Sequence, residues 1–274
     1  MSPPTDGVVL LTGASSGIGR ELARLLAAEA RVLVLVARRA ARLDALAGEL
    51  RAAHPRLTVD VRPCDVADTG ALAGLVDAVE AAHGPVDALI NNAGLGDIGL
   101  FEASDWEKTQ QMVAVNVVAL TWLTRRVLPG MVARRRGGVL NISSGFGLAF
   151  MPMFSAYVGT KHYVTGFTES LRLELHGTGV VVTQVCPGPV ATEFEEVAGN
   201  PLGRKVPSFV ELTPERCARA ALAAFRRGAA MCVPGWVAWL AISLGRVSPR
   251  WLIRLVLGPI GAVVRRQLQR SAAA

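Results

Sequence analysis

Two residues within one helical segment could carry proton-transfer chemistry. Tyr157 and Lys161 are four positions apart, so a helix places both side chains on one face. A lysine ammonium group favours the tyrosinate and lowers the tyrosine pKa from about 10 toward neutral pH. A phenol activated in this way is a suitable general acid for a carbonyl oxygen. The pair therefore predicts a site that protonates a substrate, provided that other elements hold the substrate beside it.

The first strand ends in a glycine-rich turn that opens a helix, in the stretch LLTGASSGIGRELA at residues 10–23. Gly13, Gly17 and Gly19 allow the backbone to approach a phosphate closely, and the helix start offers free N–H groups. In a parallel sheet, ligands bind beyond the carboxyl ends of the strands. We therefore predict a pyrophosphate at this turn. Its spacing differs from the general G-x-G-x-x-G pattern, and an ordinary loop is the alternative.

The end of the second strand indicates which dinucleotide would bind. It reads Ala37-Arg38-Arg39, and the next acidic residue along the chain is Asp44. An acidic residue at this place holds a free ribose 2′-hydroxyl, whereas arginine accommodates a 2′-phosphate. NADP (NADPH) is therefore favoured over NAD. The alternative is that both arginines are solvated residues at the start of a helix.

Apolar strand-like runs alternate with helical patterns over the first 235 residues. Continuous apolar runs predict strands at residues 8–12, 32–37, 57–62, 86–91, 139–143, 180–185 and 230–233. Apolar residues at helical spacing predict helices at residues 18–28, 42–53, 69–82, 105–135, 156–176 and 214–227. This alternation predicts an α/β fold with a doubly wound, mostly parallel sheet of about seven strands. Residues 1–235 form one domain in this interpretation, and residues 236–274 a C-terminal helical appendage.

Composition excludes several classes of partner and site. The formal charge of +7 is concentrated at the C-terminus, where ten arginines and no acidic residue follow Glu215, so no nucleic-acid partner is predicted. The N-terminal MSPPTDG is too short and too polar for a signal peptide, which predicts a cytoplasmic protein. Four cysteines and four histidines are scattered without ligand spacing, so neither a disulfide framework nor a metal site is predicted.

Several motifs occur in an order that resembles the short-chain dehydrogenase/reductase family over about residues 7–235. They are TGASSGIG at 12–19, Asp65-Val66, NNAG at 91–94, Asn116, Ser144, Tyr157-x-x-x-Lys161 and PGPVAT at 187–192. Gly159-Thr160, where the family commonly has small residues such as Ala-Ser, is a mild departure. The resemblance implies a Rossmann-like fold and an NADP(H)-dependent oxidoreductase that interconverts a ketone or aldehyde and its alcohol. It also implies a homodimer or homotetramer.

Four residues are predicted to be catalytic. Ser144 is chosen over Ser143 because thirteen positions separate it from Tyr157, the family's usual interval, and it would stabilise negative charge on the carbonyl oxygen. The resemblance implies that Lys161 also binds the nicotinamide ribose and that Asn116 orders a proton-relay water. Asn116 lies in the apolar helical run VAVNVVAL, where asparagine is intrinsically unfavourable; the alternative is a satisfied polar residue that bends the helix.

The family's motifs imply the cofactor contacts. Asp65 and Val66 would contact the adenine, and Pro187, Gly188 and Thr192 the nicotinamide. The full predicted set is Gly13, Ser15, Ser16, Gly17, Ile18, Gly19, Arg38, Arg39, Asp65, Val66, Asn91, Asn92, Ala93, Gly94, Tyr157, Lys161, Pro187, Gly188, Val190 and Thr192.

The loops after strands four to six predict the substrate. In the family these loops form the pocket, and here their residues are nearly all apolar. Those predicted to bind substrate are Leu95, Phe146, Met151, Met153, Phe154 and Phe194, with Phe101 and Val197 nearby. A hydrophobic ketone or aldehyde is therefore preferred over a sugar or a carboxylate. Ordinary packing of these side chains is the alternative.

The last 40 residues or so combine tryptophans with arginines and need a separate explanation. Helices with an apolar side and a basic side are predicted, too short for a convincing membrane span. They could lie in a membrane interface, cap the substrate pocket or form a dimer contact. For the whole chain, the rival functions are a catalytically silent NADP-binding sensor or scaffold and an NAD-dependent sugar epimerase.

Overall fold

The computed structural model describes residues 2–200, 203, 207 and 210–272, with side chains described up to residue 267. Within this part, seven strands form one parallel sheet in the order β3-β2-β1-β4-β5-β6-β7. They are β1 (Val8–Thr12), β2 (Val32–Ala37), β3 (Thr58–Pro63), β4 (Ala88–Asn91), β5 (Gly137–Ile142), β6 (Val180–Val185) and β7 (Met231–Cys232). The predicted α/β fold with a doubly wound, Rossmann-like sheet is confirmed.

Helices connect successive strands across both faces of the sheet. They are α1 (Gly17–Leu26), α2 (Ala40–Ala53), α3 (Thr69–His83), α4 (Trp106–Val113), α5 (Leu120–Ala133), α6 (Ser155–Glu174), α7 (Phe194–Ala198), α8 (Pro214–Arg226), α9 (Trp236–Val247) and α10 (Arg250–Ala272). A π-helical turn, Ala114–Ala119, joins α4 to α5. The sequence predicted this region as one uninterrupted helix, and α7 was not predicted.

The central strand β1 shows why its residues form a continuous apolar run. Val9 and Leu11 face one core, in which Phe225 of α8 is fully buried, and Val8 and Leu10 face the other. A strand covered by helices on both faces needs apolar side chains at every position. Strands β4, β5 and β6 pair in parallel with β1 and with one another. Their carboxyl ends therefore lie along one edge of the sheet.

Two helices follow the last strand. Among the described residues, none of the helices is by itself long and apolar enough to cross a membrane. The pair Trp236–Val247 and Arg250–Gln267 reaches the required length and hydropathy only together, and it is bent by 120° at the break.

Candidate active site

Tyr157 lies near the start of α6, enclosed by aromatic rings. It is 6% exposed, and the ring centroids of Phe194, Phe146 and Phe154 lie 5.3, 6.2 and 6.4 Å from its own. Ser144 is the second residue after β5, and its hydroxyl forms a hydrogen bond with the Tyr157 phenol. The structure thus brings the predicted serine and tyrosine together in an apolar enclosure.

Ser143 serves a different purpose from its neighbour. Its hydroxyl donates to the Lys161 carbonyl at 3.3 Å and lies 3.2 Å from the Thr165 hydroxyl. It is buried below the site, where it ties the end of β5 to α6. Ser144 rather than Ser143 therefore lies at the phenol, and its catalytic role stays a prediction.

The pKa of Tyr157 departs from the prediction. Burial raises it to about 12, and the hydrogen bond from Ser144 lowers it in part. Lys161 was predicted to lower this pKa toward neutral pH, and the net shift has the opposite sign. The physical reason is that enclosure by three phenylalanines removes the water that would solvate a tyrosinate. The phenol therefore holds its proton at neutral pH.

Lys161 is buried one helical turn along α6. Its ammonium donates to the Ile142 carbonyl at 3.1 Å and lies 5.7 Å from the centroid of the Tyr157 ring. Burial lowers the pKa of Lys161 to about 8. The pair is on one helix face, as the spacing predicted, with a cation beside the aromatic ring.

Asn116 lies in the π-helical turn and is 1% exposed. Its side chain accepts from the Leu95 amide at 2.8 Å and donates to the Leu95 carbonyl at 2.9 Å and to Thr160 at 3.0 Å. These bonds fix the chain after β4 against α6. Asn116 is thus a fully hydrogen-bonded polar residue at a distortion of the helix, as the alternative interpretation expected. Its role in a proton relay stays a prediction.

The glycine turn adjoins these residues. Gly13 and Gly17 have positive φ angles of 68° and 53°, which glycine adopts without strain. A Cβ on Gly13 would lie 2.7 Å from Asn92 Nδ2, and a Cβ on Gly94 would lie 3.6 Å from Lys161 Nζ. The turn, the chain after β4 and the lysine therefore form one continuous surface at the carboxyl edge of the sheet.

Thr12, the first residue of the TGASSGIG motif, was not among the predicted cofactor contacts but belongs to this surface. Its hydroxyl accepts from the Asn92 amide at 3.0 Å and the Ala93 amide at 3.1 Å, and Asn92 Nδ2 donates to the Thr12 and Gly13 carbonyls. These bonds lock the glycine turn to the end of β4. A conformationally fixed turn costs less to order when a ligand binds.

The two arginines after β2 point to different partners. Arg39 donates to Ser15 and Ser16 of the glycine turn at 3.0 and 2.7 Å and to Glu193 at 2.7 Å. Arg38 lies 3.9 Å from Asp65. Glu193, which also pairs with Arg42, was not predicted, since its partners are distant in sequence.

Several of the other predicted cofactor residues have identifiable contacts. Thr192 contacts the turn, since its methyl lies 3.0 Å from a Cβ built on Gly17. Gly188 is covered by Ala238 of α9. Those that pack into or against the core are Ile18, Val66 and Ala93. Asn91 is a correction: its amide donates to Thr124 and Asn141 in a buried network, because the β4 side chain points into the core.

The predicted substrate residues do not all meet. Phe146, Phe154 and Phe194 surround Tyr157, whereas Leu95 packs against the core. Met151 lines a separate groove of about 520 Å³ between the loop before α6 and α10. Met153 has a positive φ of 74°, and its carbonyl accepts from the Gly99 amide at 2.9 Å. Leu95 and Met151 therefore lie apart from the aromatic side chains around Tyr157, and the substrate role of all six residues stays a prediction.

The sheet, the glycine turn and the tyrosine–lysine pair define a doubly wound α/β protein with a reactive site at its carboxyl edge. A family model for short chain dehydrogenases matches residues 7–201. The Bos taurus protein "Dehydrogenase/reductase SDR family member 7B" is 36% identical over 214 residues, covering 77% of this chain and 66% of that protein. The chain therefore belongs to the short-chain dehydrogenase/reductase family, and it spans just under two thirds of that relative's length.

Two solved structures resemble the chain over most of its length. A short-chain dehydrogenase from Sphingobium yanoikuyae in complex with NADPH is 33% identical with a TM-score of 0.78, covering 88% of this chain and 93% of that one. The bulky-bulky ketone specific alcohol dehydrogenase from Comamonas testosteroni is 29% identical with a TM-score of 0.74, covering 88% and 92%.

Proposed function

We propose that the protein is an NADP(H)-dependent reductase that interconverts a hydrophobic ketone or aldehyde and the corresponding alcohol (EC 1.1.1.-). The observation that carries this proposal is the position of Tyr157, hydrogen-bonded to Ser144 and adjacent to Lys161, on the surface that includes the glycine turn. Family membership supports it, as does the similarity to the bulky-bulky ketone specific alcohol dehydrogenase from Comamonas testosteroni.

The residues present fit a dinucleotide. Gly13 and Gly17 leave a cradle at the start of α1, where Ser16 makes no side-chain cap and so leaves the first helical N–H groups to a phosphate. Arg38 and Arg39 are placed for a ribose 2′-phosphate, which favours NADP over NAD. The NADPH in the Sphingobium yanoikuyae structure supports the same choice. When bound, NADPH supplies a hydride to the carbonyl carbon.

Side chains of the protein supply the proton and stabilise the charge that its transfer leaves. In reduction, the Tyr157 hydroxyl passes its proton to the carbonyl oxygen, while the Ser144 hydroxyl donates a hydrogen bond to that oxygen. The raised pKa keeps Tyr157 protonated at neutral pH, so the proton is present before the reaction and its transfer depends on stabilisation of the phenolate that forms. The Lys161 ammonium, 5.7 Å from the ring centroid, then stabilises the negative charge of the phenolate that remains. Oxidation of the alcohol follows the same steps in reverse.

The walls around Tyr157 support an apolar substrate. Phe146, Phe154 and Phe194 present aromatic surface toward the phenol, and such surface gains free energy by covering apolar ligand area. A substrate with large hydrophobic groups on the carbonyl carbon fits this enclosure better than a sugar or a carboxylate.

Four wider expectations accompany this proposal. Residues 1–235 act as the catalytic domain with residues 236–274 as an appendage, the protein is cytoplasmic, its assembly is a homodimer or homotetramer, and it has no nucleic-acid partner. The concentration of positive charge after Glu215 supports the last of these, because the rest of the chain is not basic.

The test compares the two tyrosines of the chain. Tyr157→Phe should abolish NADPH oxidation with a panel of hydrophobic ketones and aldehydes while NADPH binding persists. Tyr163→Phe is the matched control, since this exposed hydroxyl bonds Thr121 on the outer surface. Binding of NADPH without turnover of any substrate by the wild type would instead identify a silent sensor or scaffold.

A further inference from the structure

The inner face of α9 forms part of the wall of the candidate site. Ala238 and Ile242 are buried, and they approach two glycines of the site closely. A Cβ built on Gly188 would lie 2.7 Å from the Ala238 Cβ, and one on Gly145 would lie 2.8 Å from Ile242 Cδ1. One face of α9, with Ala238 and Ile242, therefore packs against the candidate site.

The outer face of α9 is apolar and exposed. Trp236, Leu240, Leu244 and Val247 recur at intervals of four, four and three residues, so they form one stripe along the helix. Trp236 and Val247 at its two ends are 75% and 79% exposed. The described residues therefore leave this stripe largely uncovered.

Helix α10 repeats the arrangement. Its inward positions, including Ile253 and Leu257, line the groove beside the loop before α6. On its outside, exposed apolar side chains again recur at helical spacing: Leu252, Val256, Ile260 and Val263, with Trp251 and Leu255 beside them. Together, the exposed apolar residues of α9 and α10 are called the tail surface below.

The charged side chains that α9 and α10 carry are all positive. No aspartate or glutamate follows Glu215, while arginines occur at 246, 250, 254, 265 and 266. Arg265 pairs with Glu102, and Arg250 lies 6.0 Å from the Phe150 ring centroid. Within the described residues, Arg254 and Arg266 make no ion pair with an acidic side chain. Among the described residues, Arg266 and Arg254, which also borders the groove beside the loop before α6, are therefore the arginines of α10 available to anionic groups outside the chain.

This combination favours lipid over a second copy of the chain. A symmetric contact through the tail surface would bring arginines of one copy toward arginines of the other, with no acidic residue on either tail to compensate. Phospholipid headgroups supply phosphates for the arginines, and the acyl region accepts leucine and valine side chains. Tryptophan side chains are enriched at the boundary between the two regions.

We propose that the tail surface lies in the plane of an anionic membrane, with α9 and α10 in the headgroup region and their inner faces against the protein. The candidate site would then adjoin the bilayer, where hydrophobic carbonyl compounds concentrate. The membrane contact itself does not depend on the proposed activity, and binding to vesicles tests it separately.

The experiment is flotation of the full-length protein with vesicles of phosphatidylcholine containing about one third phosphatidylglycerol, and with vesicles of phosphatidylcholine alone. We expect flotation with the anionic vesicles, a several-fold smaller bound fraction with the neutral ones, and weaker binding when salt rises from about 0.1 M to about 0.5 M.

Two variants and a matched control assign the binding to the tail surface. Leu240→Ser combined with Leu255→Ser should reduce the bound fraction about tenfold, because each leucine contributes apolar area. Arg254→Gln combined with Arg266→Gln should remove the preference for anionic vesicles. Leu173→Ser, at a 78% exposed position of α6, is the control and should float like the wild type.

Three outcomes would overturn the proposal. The first is a wild type that does not float, and the second is a Leu240→Ser/Leu255→Ser variant that floats unchanged. The third is a wild-type oligomer that dissociates in the same variant without any vesicle binding, which would identify the tail surface as a contact between copies. Thermal unfolding of each variant, expected to match the wild type because the changed side chains are exposed, excludes loss of folding as the cause.

Discussion

The guanidinium of Arg39 bonds the carboxylate of Glu193 at 2.7 Å, across 154 positions of sequence. Arg39 also holds Ser15 and Ser16, so this single side chain joins the glycine turn to the segment before α7. The pKa of Glu193 is lowered by its hydrogen bonds from Arg39 and Arg42. The Glu193 carboxylate and the proposed ribose 2′-phosphate would therefore compete for Arg39.

Removal of this carboxylate charge should strengthen NADPH binding. We expect Glu193→Gln to lower the Kd for NADPH up to about fivefold, the range for an exposed ion pair, with little change for NADH. Titration by nicotinamide fluorescence measures both. Glu196→Gln removes the same charge from an exposed position of α7 and should leave both Kd values unchanged. An equal gain for NADH would refute competition at the 2′-phosphate.

Lys161 should make stability depend on pH in a predictable direction. Its pKa is about 8 in the folded protein, against 10.5 for an ordinary lysine, so the unfolded chain binds more protons between these values. The cost of burying the ammonium is fully present below pH 8 and disappears as pH rises toward 10.5. From about pH 7 to about pH 10, the free energy of unfolding of the wild type should rise by about 2 kcal/mol relative to Lys161→Met. Urea unfolding at both pH values measures the difference, and a constant difference would contradict the assignment.

Phe225 should be a major contributor to stability. It is fully buried between α8 and the sheet, where its ring covers Gly138. Phe225→Ala should lower the free energy of unfolding by about 3–5 kcal/mol, since it leaves a cavity in the core. Phe101→Ala, at an exposed phenylalanine, should change it by less than about 0.5 kcal/mol. Denaturant unfolding of the two variants gives the comparison, and similar losses in both would argue against this core.

Substrate binding should distinguish Phe194 from Met151. Phe194 lies against Tyr157, so Phe194→Ala should raise KM for a bulky apolar ketone about tenfold, the effect of losing one apolar wall. Met151 lies in the groove beside α10, so Met151→Ala should change KM by less than about twofold. Steady-state kinetics with one bulky and one small ketone checks both, and a larger effect of Met151→Ala would relocate the substrate pocket.

Much of the fold could be predicted because its signals are local. Strands such as β1, β2 and β6 are continuous apolar runs, and the observed bounds match the predicted ones. The third strand begins at Thr58 rather than at Leu57, and β4 begins at Ala88 rather than at Val86, because strand ends depend on pairing with neighbours.

Other features depend on contacts that a sequence does not display. Asn116 in the π-helical turn bonds Leu95 and Thr160, which the loop after β4 and helix α6 supply. The raised pKa of Tyr157 reflects burial, and the rings that enclose the phenol come from three separate segments. The Arg39–Glu193 pair likewise required the fold to bring two distant segments together.

The close approach of α9 to Gly145 and Gly188 limits how this tail could be exchanged. Neither glycine has room for a methyl group while Ile242 and Ala238 keep their places. A chimera that grafts the tail onto another scaffold of the same fold would therefore have to carry both glycines with it. The loops that contain Gly145 and Gly188 and the tail would thus have to be exchanged together. Exchange of the tail alone would displace the side chains that pack beside Ser144.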